Sequence, residues 1–165
     1  MQKRQLRLSK NFLGKELVEQ IKKTLEKYGK NVKAIILYGS IVYSPSSAHD
    51  IDVLIVVDKI RDVNEKTRLE YILKSHLRKK SILPIDVTVF DTKILEENLV
   101  PGTFLSGLVL GYDILYDEIN FEEMINELFI KIAQLDDYIY IKNRKKWNLS
   151  NIAKARIKYR QTIKT

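Results

Sequence analysis

The stretch Ala34-Ile35-Ile36-Leu37-Tyr38-Gly39-Ser40, followed after nine residues by Asp50-Ile51-Asp52-Val53-Leu54-Ile55-Val56-Val57, decides how this chain reads. Ala34 to Tyr38 is a compact apolar run closed by Gly39, the pattern of a short buried strand. Ile51 to Val57 is rich in β-branched residues and polar only at its entry, the pattern of a central strand covered on both faces. Residues i and i+2 of a strand share a face, so the Asp50 and Asp52 carboxylates converge while Ile51 points the other way. Between the two runs lies a loop of small residues, Ser44-Pro45-Ser46-Ser47-Ala48.

Outward from this centre, hydrophobic periodicity sets the remaining elements. Phe12, Leu13, Leu17, Ile21, Leu25 and Tyr28 recur at helical spacing over 12–29, with Gly29 where a C-terminal cap falls. Asp62 is a plausible N-cap for a helix reaching Lys80, with Leu69, Ile72, Leu73 and Leu77 on one face. In Ile85–Phe90, a third strand, Ile85, Val87 and Val89 alternate with Asp86, Thr88 and Phe90. Asp91 or Thr92 caps a short helix through Asn98, a helical turn covers 103–110, and Ile114–Tyr116 forms a last small strand. Phe121–Ile141 reads as one long amphipathic helix carrying Met124, Ile125, Leu128, Ile132, Leu135 and Ile139, with Tyr138 and Tyr140 near its end. Ser150 or Asn151 then caps a final basic helix. This order implies an α/β core, residues 1–117, with a C-terminal helical extension, 118–165.

With 165 residues, of which 45% are hydrophobic and 30% charged, the chain suits one packed domain and a small appendage. The absence of cysteine excludes disulfides, thiolate catalysis and cysteine-ligated metal centres. Only His49 and His76 supply imidazole, so a metal, if used, is a hard, oxygen-liganded one. The longest charge-free stretch, Asn98–Tyr112, contains Pro101, Gly102, Gly107 and Gly111 and falls short of the roughly 20 apolar residues of a membrane span. Met1–Lys10 lacks the apolar run of a secretory signal. The expectation is a cytoplasmic protein without a membrane partner.

The net charge of +8 is uneven. Residues 1–141 carry 20 basic and 21 acidic side chains, whereas 142–165 carry nine basic and none acidic. Such a run either contacts phosphates of RNA or DNA or forms a solvated helix face. Tyr138, Tyr140 and Trp147 beside it suit base stacking or core packing equally.

Three features bear on chemistry. Gly39-Ser40 ends a buried strand, where glycine permits close backbone approach and serine can open a helix. The result is an ordinary turn or a phosphate cradle. Asp50 and Asp52 repel each other unless a cation lies between them, which suits Mg²⁺; the bland alternative is a solvated strand end. Asp86 alone reads as an outward residue of an edge strand. If its strand neighbours that of Asp52, three carboxylates line one patch near the Gly39-Ser40 turn. His49, next to Asp50, either tunes that patch or sits in the loop, and His76 reads as a packed or surface residue.

Together these residues resemble the DNA polymerase beta-like nucleotidyltransferase superfamily, whose signature is an apolar residue, Gly-Ser, a spacer, Asp-apolar-Asp-apolar, and a third carboxylate on a later strand. Here the pattern is Tyr38-Gly39-Ser40, Asp50-Ile51-Asp52-Val53 and Asp86. Small size points to the minimal nucleotidyltransferase branch. The resemblance implies a small mixed β-sheet with flanking helices and transfer of a nucleoside monophosphate from a nucleoside triphosphate, most simply ATP, to an acceptor hydroxyl of protein, RNA or small molecule. It further implies that Gly39 and Ser40 contact the triphosphate. Asp50 and Asp52 would hold two Mg²⁺ ions, or Mn²⁺, and Asp86 would bind the catalytic ion and help deprotonate the acceptor. A helical toxin as protein partner, with this chain as antitoxin, is a further implication. The chain departs from the pattern after Ser40, where Ile41-Val42-Tyr43-Ser44-Pro45 stands in place of the Arg and Gly of many minimal members, and Lys79, Lys80 or a tail lysine could take the arginine's place at the triphosphate. The other reading is a nucleic-acid-binding module acting through its basic C-terminal helix.

Overall fold

β2 (Ile51–Val57) is buried along its whole length, and the sheet is arranged about it. The computed structural model describes residues 12–164, so Met1–Lys10 and the side chains of Phe12 and Leu13 lie outside the description. The chain falls into two compact units, one running to Leu95 and including Tyr112–Ile119, the other made of Glu96–Gly111 and the residues from Asn120 onward.

In the first unit β1 (Val32–Tyr38) pairs antiparallel with both β2 and β4 (Tyr112–Asp117), and β2 pairs parallel with β3 (Ile85–Asp91). The strand order β3-β2-β1-β4 makes the mixed sheet that the sequence implies. A parallel pair requires a crossover, and α3 (Val63–Arg78) provides it. One face of the sheet packs on α1 (Leu17–Glu26) and α3. Leu17, Ile21 and Leu25 of the first helix and Leu69, Leu73 and Leu77 of the second, spaced by four, meet strand residues spaced by two, among them Ile35, Leu37, Val53, Ile55, Val87 and Val89. Burying each leucine contributes about 1.5–3 kcal/mol. The other face carries Ala34, Ile36, Leu54, Val56 and Phe90, also buried, which is why β2 reads as a continuous apolar run.

Local signals end and start these elements where the sequence places them. Gly29, at φ +68, closes α1: its N–H donates to the Glu26 carbonyl at 3.0 Å and the Lys30 N–H to Leu25 at 3.1 Å. Asp62 accepts from the Glu65 N–H at 2.8 Å as the N-cap of α3. Asp91 caps α4 (Thr92–Glu97) by accepting from the Ile94 N–H at 2.8 Å, while its other oxygen accepts from Ile60. The single helix expected over 12–29 is interrupted, because Phe12–Glu16 is a π-helical turn in which Gly14 has non-helical angles.

The second unit corrects three expectations. The long helix expected over 121–141 is α5 (Phe121–Ala133) only, and it is followed by a hairpin of β5 (Ile139–Lys142) and β6 (Lys145–Asn148). From Tyr138 the pattern changes to alternating aromatic and β-branched residues, which suits a pleated strand better than a helix. Tyr140 is therefore a strand residue paired with Trp147, their ring centroids 6.0 Å apart. The hairpin also places Lys142, Arg144, Lys145 and Lys146 outside any helix. Finally, α6 (Leu149–Ile163) is capped by Asn148, which accepts from the Asn151 N–H at 3.1 Å. Ser150 is fully buried and accepts from the Tyr138 N–H at 2.9 Å. Part of the basic set is engaged inside this unit: Arg156 donates to the Val109 carbonyl, Arg160 pairs with Glu123, and Lys164 lies 3.8 Å from that carboxylate. Among the described residues no helix is long and apolar enough to cross a membrane.

Candidate functional site

Strand register assembles the site. Tyr38 of β1 lies opposite Asp52 of β2, which lies opposite Asp86 of β3. The Ile51 N–H donates to the Pro84 carbonyl at 2.9 Å, which fixes the level at which β2 and β3 begin. Neighbouring strands stand about 4.8 Å apart, and Asp50 precedes Asp52 on the same side, so both carboxylates from β2 meet the one from β3. One oxygen from each of Asp50, Asp52 and Asp86 lies within 4.8 Å of the others. Asp50 is partly buried, Asp52 is 9% exposed and Asp86 is open to solvent.

Beside this triad β1 ends. Gly39, at φ +76 and ψ −162, turns the chain into α2 (Ser40–Tyr43) through a positive-φ conformation essentially reserved for glycine. The same glycine faces Asp52: a Cβ built on Gly39 would collide with Asp52 Oδ2 and sit 3.2 Å from its Cγ. Gly39, Ser40 and the three aspartates therefore come together as the sequence implies.

Two residues that the sequence reading passed over belong to the site. Tyr38 enters the motif only as an apolar residue, yet its hydroxyl bonds to Thr88 and is pushed up to about pKa 12. Burial is the main cause, with Asp52, Asp86 and Asp50 adding to it. The phenol is thus a neutral group in the field of three carboxylates. Lys74 on α3 forms an ion pair with Asp86. Its signal in the sequence is the row Lys66, Glu70, Lys74 at steps of four, which puts all three on one helix face.

The histidines lie apart from this chemistry. His49 is exposed in the loop before Asp50. His76 Nε2 lies 3.0 Å from Gln20 Oε1, and burial, then Lys80, Lys27 and Lys79, hold its pKa below the ordinary value. Lys79 and Lys80, offered above in place of the missing arginine at the triphosphate, act on His76, and among the described residues the ammonium in an ion pair with the triad is that of Lys74.

The donor set is hard oxygen throughout. Three carboxylates at this separation, one of them buried, repel unless a cation joins them, and Mg²⁺ is held by one or two carboxylates together with substrate phosphates. Mn²⁺ suits the same donors.

The model of the family described as polymerase beta, nucleotidyltransferase matches residues 19–104, a span that contains every residue of this site. A protein of Methanocaldococcus jannaschii, provisionally named a protein adenylyltransferase, is 23% identical over 148 residues, covering 88% of this chain and 99% of the relative. Similar solved structures include a spectinomycin adenyltransferase from Enterococcus faecialis bound to ATP and spectinomycin, with a TM-score of 0.44 and 18% identity over 73% of this chain and 64% of that one. Another is a toxin–antitoxin complex, MntA-HpeT, with a TM-score of 0.42 and 15% identity over 67% of this chain and 77% of that one.

Proposed function

We propose, from the premise that this chain belongs to the polymerase beta nucleotidyltransferase family, that it moves an adenylyl group from ATP to a hydroxyl of a protein acceptor. In this reading Asp50, Asp52 and Asp86 hold two Mg²⁺ ions, and Gly39 and Ser40 contact the triphosphate. The observation that carries it is the meeting of three carboxylate oxygens within 4.8 Å beside the Gly39 turn. Bound between these carboxylates, the ions supply electrostatic stabilisation of the attacking and leaving oxygens.

The chain's own residues do the rest. Gly39 brings its backbone against Asp52 without a side chain in the way, and the first N–H groups of a helical turn lack partners within it, so the turn at Ser40 can donate to phosphate oxygens. Asp86, the most exposed of the three, faces where an acceptor arrives and accepts the proton of its hydroxyl. The acceptor oxygen then bonds to the α-phosphorus, the bond from that phosphorus to the α–β bridging oxygen breaks, and pyrophosphate leaves. Tyr38, neutral and bonded to Thr88, packs beside Asp52 without adding charge.

A protein acceptor is favoured by the name of the Methanocaldococcus jannaschii relative, which this chain matches over almost its entire length. ATP labelled at its α-phosphate, incubated with the protein, Mg²⁺ and a lysate, tests the reading. Label should enter a protein band, and Asp50→Asn, Asp52→Asn and Asp86→Asn should each abolish it. Label carried instead into RNA or a small molecule would replace the acceptor, and transfer that survives Asp52→Asn would overturn the site.

A further inference from the structure

α3, packed on one face of the sheet, presents one row of side chains to the outer side of β3. β3 is an edge strand, and its outward backbone groups need partners. Glu70 supplies one, accepting from the Val89 N–H at 3.0 Å. One turn earlier Lys66 pairs with Glu70, its ammonium 5.7 Å from the Phe90 ring centroid. One turn later Lys74 pairs with Asp86. Lys66, Glu70 and Lys74 thus follow β3 from Phe90 through Val89 to Asp86. The helix that presents them is fixed from beneath by Leu69, Leu73 and Leu77, exposed by 2%, 0% and 0%. Lys74 is accordingly delivered to the triad by rigid structure, while the pair itself stands in solvent, with side chains 49% and 59% exposed. An exposed pair of this kind is weak and readily exchanged.

We propose that Lys74 is a positioning residue that serves Asp86 as a replaceable counter-ion. Its ammonium neutralises the third carboxylate before a divalent cation binds, yields the carboxylate to that cation, and turns to the anionic nucleotide arriving with it. The inference rests on the reading of the triad given above. The Lys74 ammonium competes with a divalent cation for the Asp86 carboxylate and repels it by like charge, so Lys74 opposes metal binding by the protein alone. Once displaced, the ammonium stays on its helix beside the triad, where the negative charge of a nucleotide bound with the metal attracts it, so it favours metal and nucleotide together. The two affinities are then coupled, and the coupling is reciprocal.

Mn²⁺ titrations followed by electron paramagnetic resonance, with and without an ATP analogue whose α–β bridge cannot be cleaved, test this. Without nucleotide, Lys74→Ala and Lys74→Gln should bind Mn²⁺ more tightly than wild type, by up to about fivefold, and Lys74→Arg should match wild type. With the analogue present, the gain should vanish or reverse. A structural role for Lys74 predicts no such dependence on the nucleotide. Unchanged or weaker Mn²⁺ binding by Lys74→Ala without nucleotide, while Asp52→Asn loses binding, overturns this inference alone. Equal Mn²⁺ binding by wild type and Asp52→Asn overturns the metal site and this inference with it.

Discussion

Gly39 and Asp52 occupy one space: the glycine stands at φ +76, and the side chain it lacks would run into the Asp52 carboxylate, with only 3.2 Å to Asp52 Cγ. Two independent constraints therefore demand glycine, backbone conformation and the approach of the carboxylate. Gly39→Ala should cost about 1–3 kcal/mol from a backbone conformation that is essentially glycine's alone and push Asp52 out of the triad. The expected outcome is a folded protein with a lowered melting temperature and no measurable Mg²⁺-dependent transfer. Wild-type metal affinity in Gly39→Ala, measured by calorimetry, would show that Asp52 does not depend on this contact.

The triad is a cost to the metal-free fold. Two unit charges 4 Å apart interact by about 1 kcal/mol in water and about 4 kcal/mol in the dielectric typical of a protein surface. Asp52 carries the least exposed of the three carboxylates, so Asp52→Asn should raise the melting temperature of the protein in chelator and should lack the further rise expected of wild type with Mg²⁺. Stability and function then move in opposite directions, as is common where a strained site is part of the activity. A lower melting temperature for Asp52→Asn in chelator would mean that the carboxylate is net stabilising where it stands.

Tyr38 makes an alkaline prediction. Its phenol ionises at about 12 in the fold against 10.0 ordinarily, so the folded chain holds a proton that the unfolded chain has released between those values. The stability it contributes is present below pH 10 and is lost as pH rises toward 12. Urea midpoints of wild type and Tyr38→Phe should therefore converge over that window, and the absorbance change of tyrosinate should show one late-titrating group missing from the variant. At neutral pH, Tyr38→Phe should cost about 1 kcal/mol through the lost bond to Thr88.

The aspartates and the glycine were legible because each is a local signal: period two in a strand, a small residue at a strand end, a carboxylate in an apolar run. Asp86 needed one more fact, that β3 pairs parallel with β2, which the helix between them supplies. Tyr38 and Lys74 were harder to see. The first hides in an apolar strand where its ring packs and only its hydroxyl matters, and the second acts across the sheet edge from a solvated helix face. The hairpin was missed because its turn lacks the glycine that usually marks a two-residue loop, and because Ile132, Leu135 and Ile139 happen to continue a helical spacing past Ala133.

His76 makes the acidic prediction. Burial, with Lys80, Lys27 and Lys79 around it, holds the folded pKa below 6.5, so the unfolded chain takes up a proton first as pH falls. The stability associated with neutral His76 is present above pH 6.5 and is lost as pH drops through the folded value. Nuclear magnetic resonance of the imidazole, assigned by its loss in His76→Gln, should place its titration below 6.5, and His76→Gln should flatten the fall in stability on mild acidification. A normal His76 titration would mean that neither its burial nor the lysines around it act on the imidazole in solution.

The hairpin offers the cleanest test of its own assignment. Asn143 and Arg144 both have positive φ, 52° and 63°, the arrangement of a two-residue turn whose twist matches that of its strands. Asparagine tolerates that region and arginine does not, since a side chain there costs roughly 1–2 kcal/mol. Arg144→Gly should therefore stabilise the protein by about 0.5–1 kcal/mol despite the greater freedom it gives the unfolded chain, and Asn143→Gly should change little. Had 139–148 continued α5 as a helix, the same Arg144→Gly would destabilise by about 1 kcal/mol. The sign of one denaturation midpoint distinguishes the two, and a destabilised Arg144→Gly would return these residues, and the cations on them, to a helix.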